Sequence, residues 1–414
     1  MCRSEVREVK LTPPGDVRPA FRGDIKRLRE ACSKFFGIKA CQKLFPNDKL
    51  VLINKVGGRD RAEEVIVDGV RMGLLYYNVD LSQWRFKPSL EAARRLALWG
   101  GRSWVRVDDA ASSEVSKGRN VLAPGVVDID TTIKAGDEVF VVDSSGQAIA
   151  VGIARVDAKE LPNRGIIVKV RESGEPKPPK LLKGGQKWED AVKANMDVIR
   201  SFELKAIGFI KQHVRRLPAA VSFSGGKDSM ALFLLALKAL GKEDIRVLFI
   251  DTGIEYPETI EYVKRVETRY GVKIYTYGAG DGFWRGLKIF GPPARDYRWC
   301  CKVSKLVPIA RLVKQKFSGK RLLMLVGQRR WESLSRYKSP PIWRNKWIPE
   351  AVAASPINEW SALHVWLYLF REGAPINPLY EMGFDRIGCW PCPSADLADF
   401  EGTKQSHPEL WEKW

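Results

Sequence analysis

Nine residues, Val221-Ser-Phe-Ser-Gly-Gly-Lys-Asp-Ser229, constrain this chain more than any other stretch of it. Apolar residues lead into Ser224-Gly225-Gly226, and a helix-like segment, Met230 to Leu240, follows at once. That order reads as a strand, a tight turn and a helix N-terminus. Glycines in such a turn let the backbone approach an anion, which the unpaired N–H groups and the dipole of the helix then hold. The spacing is not the G-x-x-x-x-G-K-[ST] of a Walker loop. A glycine turn before an ordinary helix is the plain alternative.

The surrounding pattern is that of an α/β protein. Val221–Phe223, Val247–Ile250, Ile274–Tyr277 and Leu322–Val326 are short apolar runs separated by helix-length segments, and Asp190–Arg216 also has helical character. Apolar strands alternating with helices predict a doubly wound parallel sheet. Ligands bind such sheets at the carboxyl ends of the strands, where Ser224 and Asp251 fall. Upstream, Glu172 to Trp188 contains three prolines and three glycines and reads as a connector. Before it, Glu138–Val142 and Ala148–Gly152 alternate between turns at Ala123-Pro-Gly125, Ala135-Gly-Asp137 and Ser144-Ser-Gly146, as in a small β-barrel. Another α/β module, with a helix over Asp24–Phe36 and strands around Val51 and Val65, precedes the barrel. The expected order is therefore a module over residues 1–100, a barrel over 101–171, a connector over 172–188 and the parallel-sheet domain over 189–414.

Charge is unevenly spread. The chain carries +20 in all, and from Arg285 to Trp347 there are 17 Lys and Arg against two acids, Asp296 and Glu332. Tyr297, Trp299, Trp331, Tyr337, Trp343 and Trp347 lie among these cations. Positive charge attracts phosphates and aromatic faces stack on unpaired bases, so nucleic acid or a polyanionic nucleotide is the expected partner. A generally basic, solvated surface is the bland alternative. An apolar run long enough to span a bilayer is not seen, and the first five residues lack the apolar core of a secretion signal, so a cytoplasmic location without membrane association is expected.

The seven cysteines are odd in number, which argues against a disulfide framework. Cys2, Cys32 and Cys41 lack C-x-x-C spacing and read as structural. Cys300 and Cys301 are adjacent, and Cys389 and Cys392 form a C-x-x-C pair. Adjacent thiolates suit two irons of a cuboidal cluster better than one tetrahedral zinc, although zinc and free or disulfide-bonded thiols remain open on spacing alone. His213, His364 and His407 have no zinc-like partners, which leaves histidine-based triad chemistry without support.

These motifs carry two resemblances. The SGGKDS signature resembles the PP-loop of ATP pyrophosphatases and sulfonucleotide reductases. Asp251-Thr-Gly-Ile-Glu-Tyr-Pro-Glu-Thr259, Trp299-Cys-Cys-Lys-Val-Ser-Lys305 and Gly327-Gln-Arg-Arg-Trp-Glu-Ser-Leu-Ser-Arg336 follow it. Pro356-Ile-Asn-Glu-Trp-Ser361, Ile376-Asn-Pro-Leu-Tyr380 and Arg386-Ile-Gly-Cys-Trp-Pro-Cys392 complete the series. On this ordered series the second half is identified as a member of the phosphoadenosine/adenosine phosphosulfate reductase family. Separately, Val121-Leu-Ala-Pro-Gly-Val126, Ile133-Lys-Ala-Gly-Asp-Glu-Val139 and Ala150-Val-Gly-Ile-Ala154 resemble a PUA domain, a compact RNA-binding barrel. The α/β module before it is similar to one that precedes PUA in archaeal RNA-modifying enzymes.

The first resemblance implies that Ser224, Gly225, Gly226, Lys227, Asp228 and Ser229 hold phosphate or sulfate, with Asp251, Thr252 and Gly253 at the adenosine. Lys227, Asp228, Arg329 and Arg336 are the expected catalytic residues, and Glu332 is expected to orient an arginine by an ion pair. It also implies a [4Fe–4S] cluster on Cys300, Cys301, Cys389 and Cys392, with Lys305 beside it.

Two chemistries compete for this site. Reduction of a sulfonucleotide (APS or PAPS) needs a thiolate that attacks sulfur. In the reductases that cysteine lies in a short C-terminal tail, and residues 393–414 contain none. The expected activity is instead ATP-dependent adenylation and sulfuration of RNA, with tRNA the expected substrate. Mg²⁺ would accompany ATP, and an external protein would supply sulfur or electrons. A non-catalytic RNA-binding protein on a decayed nucleotide fold is a third reading, against which the intact motifs count.

Overall fold

The computed structural model describes residues 9–214, 217–317 and 320–414. Cys2 and Arg216 therefore lie outside the described residues. Two compact units divide the chain, with the boundary between Lys187 and Trp188.

The first unit contains two sheets. Five antiparallel strands, β1 (Val17–Pro19), β2 (Val51–Val56), β3 (Ala62–Val67), β4 (Val70–Asn78) and β5 (Gln83–Pro88), pair in sequence order. The Arg22–Phe36, Ile38–Leu44 and Leu90–Leu98 helices bury Leu28, Phe36, Leu44, Ala93 and Leu96 in a core shared with this sheet. The second sheet has six strands: β6 (Trp104–Val107), β7 (Val121–Leu122), β8 (Val126–Ile129), β9 (Glu138–Val142), β10 (Ala148–Ala154) and β11 (Ile166–Ser173). Their order is β7-β11-β10-β9-β6-β8, antiparallel except where β6 lies parallel to β9. Val105, Val121, Val139, Val141, Ile149 and Ile167 fill its core.

Two sequence expectations need correction here. Cys32 and Cys41 form a disulfide, with their Cα atoms 5.9 Å apart. Gly37, at φ +85°, turns the chain between two consecutive helices and folds one cysteine back onto the other. An odd cysteine count thus did not exclude a pair. The Glu172–Trp188 connector is also not free chain. Glu172 and Ser173 belong to β11, and Gly174 donates to the Ile149 carbonyl. Beyond them, Arg94 donates to Glu175 O, Arg95 to Lys180 O and Lys49 to Leu182 O, while Gly185 N donates to Asp48 O. Proline-rich chain has few backbone donors of its own, and side chains of the first unit use its carbonyls instead.

In the second unit, β12 (Ala219–Phe223), β13 (Arg246–Asp251), β14 (Ile274–Gly278), β15 (Leu322–Val326) and β17 (Ala351–Ala354) are parallel. The sheet runs β14-β13-β12-β15-β17-β16, and β16 (Ile342–Arg344) is an antiparallel edge. Side chains alternate across it. Ala220, Leu248 and Met324 pack with Leu312 and Val313 of the Val307–Phe317 helix on one face. On the other, Phe223 meets Phe233 of the Lys227–Leu240 helix and Tyr262 of the Pro257–Tyr270 helix. Helices therefore cover both faces. Asp190–Arg216 is broken into two helices, Trp188–Ala194 and Met196–Val214.

Candidate active site

The parallel strands deliver their carboxyl ends to one edge, where β12 gives way to Ser224 and β13 ends at Asp251. Gly225 adopts φ +76°, and a Cβ there would stand 2.9 Å from Thr259 Cγ2. Only glycine combines that backbone conformation with so close a neighbour. The helix begins at Lys227, earlier than the Met230 expected from apolar pattern, so Lys227 and Asp228 occupy its first turn.

The turn is tied from several directions. Ser224 N donates to Ser229 Oγ at 3.1 Å, and Ser229 Oγ donates to Gly226 O at 2.9 Å. Ser229 thus braces the turn through its own hydroxyl. Asn377 Nδ2 donates to Gly225 O and to Thr259 Oγ1, both at 3.2 Å. Lys227 N donates to Tyr380 Oη at 2.9 Å.

Asp228 stands between two cations. Lys227 Nζ donates to its Oδ2 at 3.0 Å and Arg329 Nε to its Oδ1 at 2.6 Å. Burial by itself would raise the Asp228 carboxyl, but Arg329 and Lys227 outweigh it and hold the group below its usual range. Burial likewise works against the Lys227 charge, and Asp228 reverses the sign. Burial also pushes the Tyr380 hydroxyl up to about 12, against the pull of Lys227. Arg329 is 2% exposed, so this member of the basic stretch serves the site and not the surface. Its backbone N–H donates to Glu332 Oε2 at 2.7 Å, and Arg336 pairs with the same oxygen. Arg336 keeps about two-fifths of its side chain exposed. Lys227, Asp228, Arg329, Glu332 and Arg336 are thereby joined into one chain of contacts.

The loop after β13 links this edge to the cysteines. Asp251 Oδ1 accepts from Gly253 N at 2.9 Å, and Thr252 Oγ1 donates to Glu255 Oε1 at 2.8 Å. Cys389 Sγ lies 3.6 Å from Thr252 Oγ1 and 3.7 Å from Glu255 Oε1. Burial pushes the Cys389 thiol up to about 11, against the opposing field of Lys305. The crowded surroundings of Lys305 disfavour its charge, yet Cys389 and Glu255 outweigh them. A hydrogen bond from Cys300, helped by Arg298, draws Cys301 down to about 5. Cys300, Cys301 and Cys389 pack into one cluster with Trp299 and Trp390, and Cys392 follows Cys389 by three residues. Among the described residues, no three acidic, histidine or cysteine side chains form a group that holds a metal ion. Four thiols without a histidine, beside Lys305 and Arg298, nonetheless have the donor chemistry of a cysteine-ligated iron–sulfur centre.

Sequence reasoning gave no role to Tyr380, Asn377, Thr259, Glu255 or Arg298. Asn377 and Tyr380 lie inside the quoted motif Ile376-Asn-Pro-Leu-Tyr380, which is the signal available beforehand. Their function of bracing the turn depends on contacts across some 150 residues of chain.

Residues 218–395 match the phosphoadenosine phosphosulfate reductase domain and residues 103–173 the PUA domain. An uncharacterised protein of Methanocaldococcus jannaschii is 40% identical over all of this chain and 87% of its own length. The adenosine 5'-phosphosulfate reductase of Allochromatium vinosum is 28% identical over 48% of this chain and 77% of its own. The solved phosphoadenylyl-sulfate reductase of Candida auris aligns with 51% of this chain and 98% of its own, at 18% identity and a TM-score of 0.38. The chain belongs to the phosphoadenosine phosphosulfate reductase family, in a form that joins the reductase-type domain to a PUA domain. Among the described residues no helix is long and apolar enough to cross a membrane.

Proposed function

We propose that this protein is an ATP-dependent enzyme that adenylates RNA, with tRNA the expected class, and then replaces the adenylated oxygen with sulfur. The observation that carries the reading is the presence in one chain of a PUA domain and a PP-loop site. An RNA-binding barrel has an evident use when the substrate is RNA and none when it is a small nucleotide.

In this reading the N–H groups of the Ser224-Gly225-Gly226 turn and the following helix hold the triphosphate with Mg²⁺. A base carbonyl oxygen attacks the α-phosphorus, the bond to the β-phosphate breaks and pyrophosphate leaves. A donor at the oxidation level of sulfide then adds at the base carbon, and AMP departs with the original oxygen. Lys227 and Arg329 offset charge on the transferring group, and Asp228 keeps both in place. Cys300, Cys301, Cys389 and Cys392 would hold a [4Fe–4S] cluster, which supplies electron-transfer or structural chemistry when bound. The sulfur or electron donor is an external protein.

A second reading, reduction of APS or PAPS to sulfite, draws support from the similarity to adenosine 5'-phosphosulfate reductases. The deciding measurement is pyrophosphate release from ATP with bulk tRNA, run beside sulfite release from APS and PAPS with a thiol reductant. RNA-dependent pyrophosphate supports sulfuration. Robust sulfite with no pyrophosphate replaces it by the reductase.

A further inference from the structure

A cavity of about 320 Å³ opens between the Lys302–Leu306 π-helix with the Val307–Phe317 helix that continues it, and the segment leading into β17. The chemistry of its lining is specific. Ile348 is buried at 2% in the core beneath, while the preceding Trp347 is 57% exposed. Lys302 Nζ lies 5.1 Å from the centre of the Trp347 ring, over its face. Arg311 and Lys314 present exposed side chains from the next helix, and Val307 adds apolar surface. Glu350 is the single acid of the lining. Among the described residues no ion pair engages Lys302, Arg311 or Lys314. Lys302 caps the Trp347 ring in this structure, so a ligand that stacks on the indole displaces the ammonium and leaves it, with Arg311 and Lys314, to pair with phosphate.

We propose that this cavity binds an unpaired RNA nucleotide, with its base stacked on Trp347 and its flanking phosphates on Lys302, Arg311 and Lys314. An aromatic face flanked by a cationic track suits single-stranded nucleic acid, because every base has a stacking surface and every linkage a charge. A double helix offers phosphates but keeps its bases stacked inside, so it fits the cations and not the ring. A free nucleotide already has a separate site at the Ser224-Gly225-Gly226 turn. The π-helix follows Cys300-Cys301 without a break, so a strand held here lies against the element that carries two of the four thiols. π-Helical turns often mark functional positions. The inference rests on RNA being the substrate class, and it names the face of the second unit that holds the strand.

The test measures anisotropy of a fluorescein-labelled single-stranded octanucleotide RNA on the full chain. Trp347→Ala should weaken binding roughly ten-fold and Trp347→Phe should restore most of it. Lys302→Gln combined with Arg311→Gln should lower the slope of log affinity against log salt by about 1.4, the value for two phosphates of a single strand. A Trp347→Ala protein that binds as tightly as wild type overturns the proposal. So does an unchanged slope in the double variant, and so does displacement of the oligonucleotide by ATP. Binding that responds to these variants in a protein that releases no pyrophosphate would keep the site and discard RNA adenylation. Normal RNA-dependent pyrophosphate release with no response to them would do the reverse.

Discussion

Arg329 Nε donates a 2.6 Å hydrogen bond to Asp228 Oδ1 across 101 residues of chain. The contact joins the loop after β15 to the first turn of the helix that follows the Ser224-Gly225-Gly226 turn. It is made possible by Gly327, where a Cβ would stand 2.8 Å from the Asp228 carbonyl carbon and 2.9 Å from Ser229 N. Both Asp228 carboxylate oxygens are engaged by cations, Lys227 Nζ at Oδ2 and Arg329 Nε at Oδ1, and in the proposed reaction the group positions them.

Asp228→Ala should lower RNA-dependent pyrophosphate release by at least roughly a hundred-fold, because Lys227 and Arg329 lose the group that aims them. RNA affinity should stay within about two-fold, since phosphate contacts on the basic surface dominate binding. A variant that retains activity would remove Asp228 from the machinery. One that loses RNA binding in parallel would point to a folding defect instead.

Gly225→Ala should destabilise the loop by about 1–3 kcal/mol, the cost of holding a non-glycine residue at positive φ. The added methyl also meets Thr259, which is fully buried and has no room to retreat. Thermal melts with and without ATP separate the two consequences. The variant should lose both intrinsic stability and most of the nucleotide-induced shift, while Gly241→Ala, at φ +82° but with open space around it, should lose only the first.

Much of this site is legible in the sequence because its parts are local. A strand, two glycines and a helix start announce an anion-binding turn whatever surrounds them. β15 falls on Leu322–Val326 and β9 on Glu138–Val142, as read from apolar runs between turns. What could not be read is which distant groups close on the turn. Asn377 and Tyr380 look like an ordinary polar and an ordinary aromatic residue until the fold places them against Gly225 O and Lys227 N. Cys32 and Cys41 escaped for a related reason. Their pairing depends on the reversal at Gly37 and not on spacing. Composition marked the connector but not what holds it, because it reports a segment's own backbone and not the donors that neighbours offer it.

Anaerobically purified protein should contain iron and labile sulfide with an absorbance band near 400 nm, on Cys300, Cys301, Cys389 and Cys392. Changing Cys389 or Cys301 to serine should remove most of the iron while leaving the PUA-containing unit's RNA affinity intact. Stoichiometric zinc without iron would sink the assignment.

Acid should unfold the first unit through Asp24. This fully buried carboxylate takes hydrogen bonds from Arg18 Nη1 at 2.7 Å and Nη2 at 3.0 Å. Burial would raise its pKa, but Arg18, Arg27 and Arg61 together draw it below the usual value. A depressed folded-state pKa contributes stability that is fully present above the unfolded value of about 3.9 and is lost as pH falls through the folded one. Asp24→Asn should therefore cost about 3–5 kcal/mol at neutral pH, where it leaves buried Arg18 and Arg61 to share Glu63. The gap from wild type should narrow below pH 4. A constant gap across that range would mean that the side chain's packing, and not its charge, matters.

The stretch from Glu175 to Gly185 should behave as part of the first unit. Arg95 is 1% exposed and divides its donors between Asp68 and the Lys180 carbonyl, while Lys49 bridges Asp68 and the Leu182 carbonyl. Cutting the chain at residue 175 removes both carbonyls and strips the cover from two cations that share one carboxylate. Losing two hydrogen bonds to charged donors should cost about 3 kcal/mol, or roughly 6–12 °C in melting temperature for a unit of this size. Fragments 1–175 and 1–187, compared by thermal unfolding, decide the matter. Equal melting temperatures would return the segment to the status of a tether. A lower value for the shorter fragment would mean that a proline-rich stretch serves as a strap, and that RNA-binding measurements on the isolated unit need residues through 187.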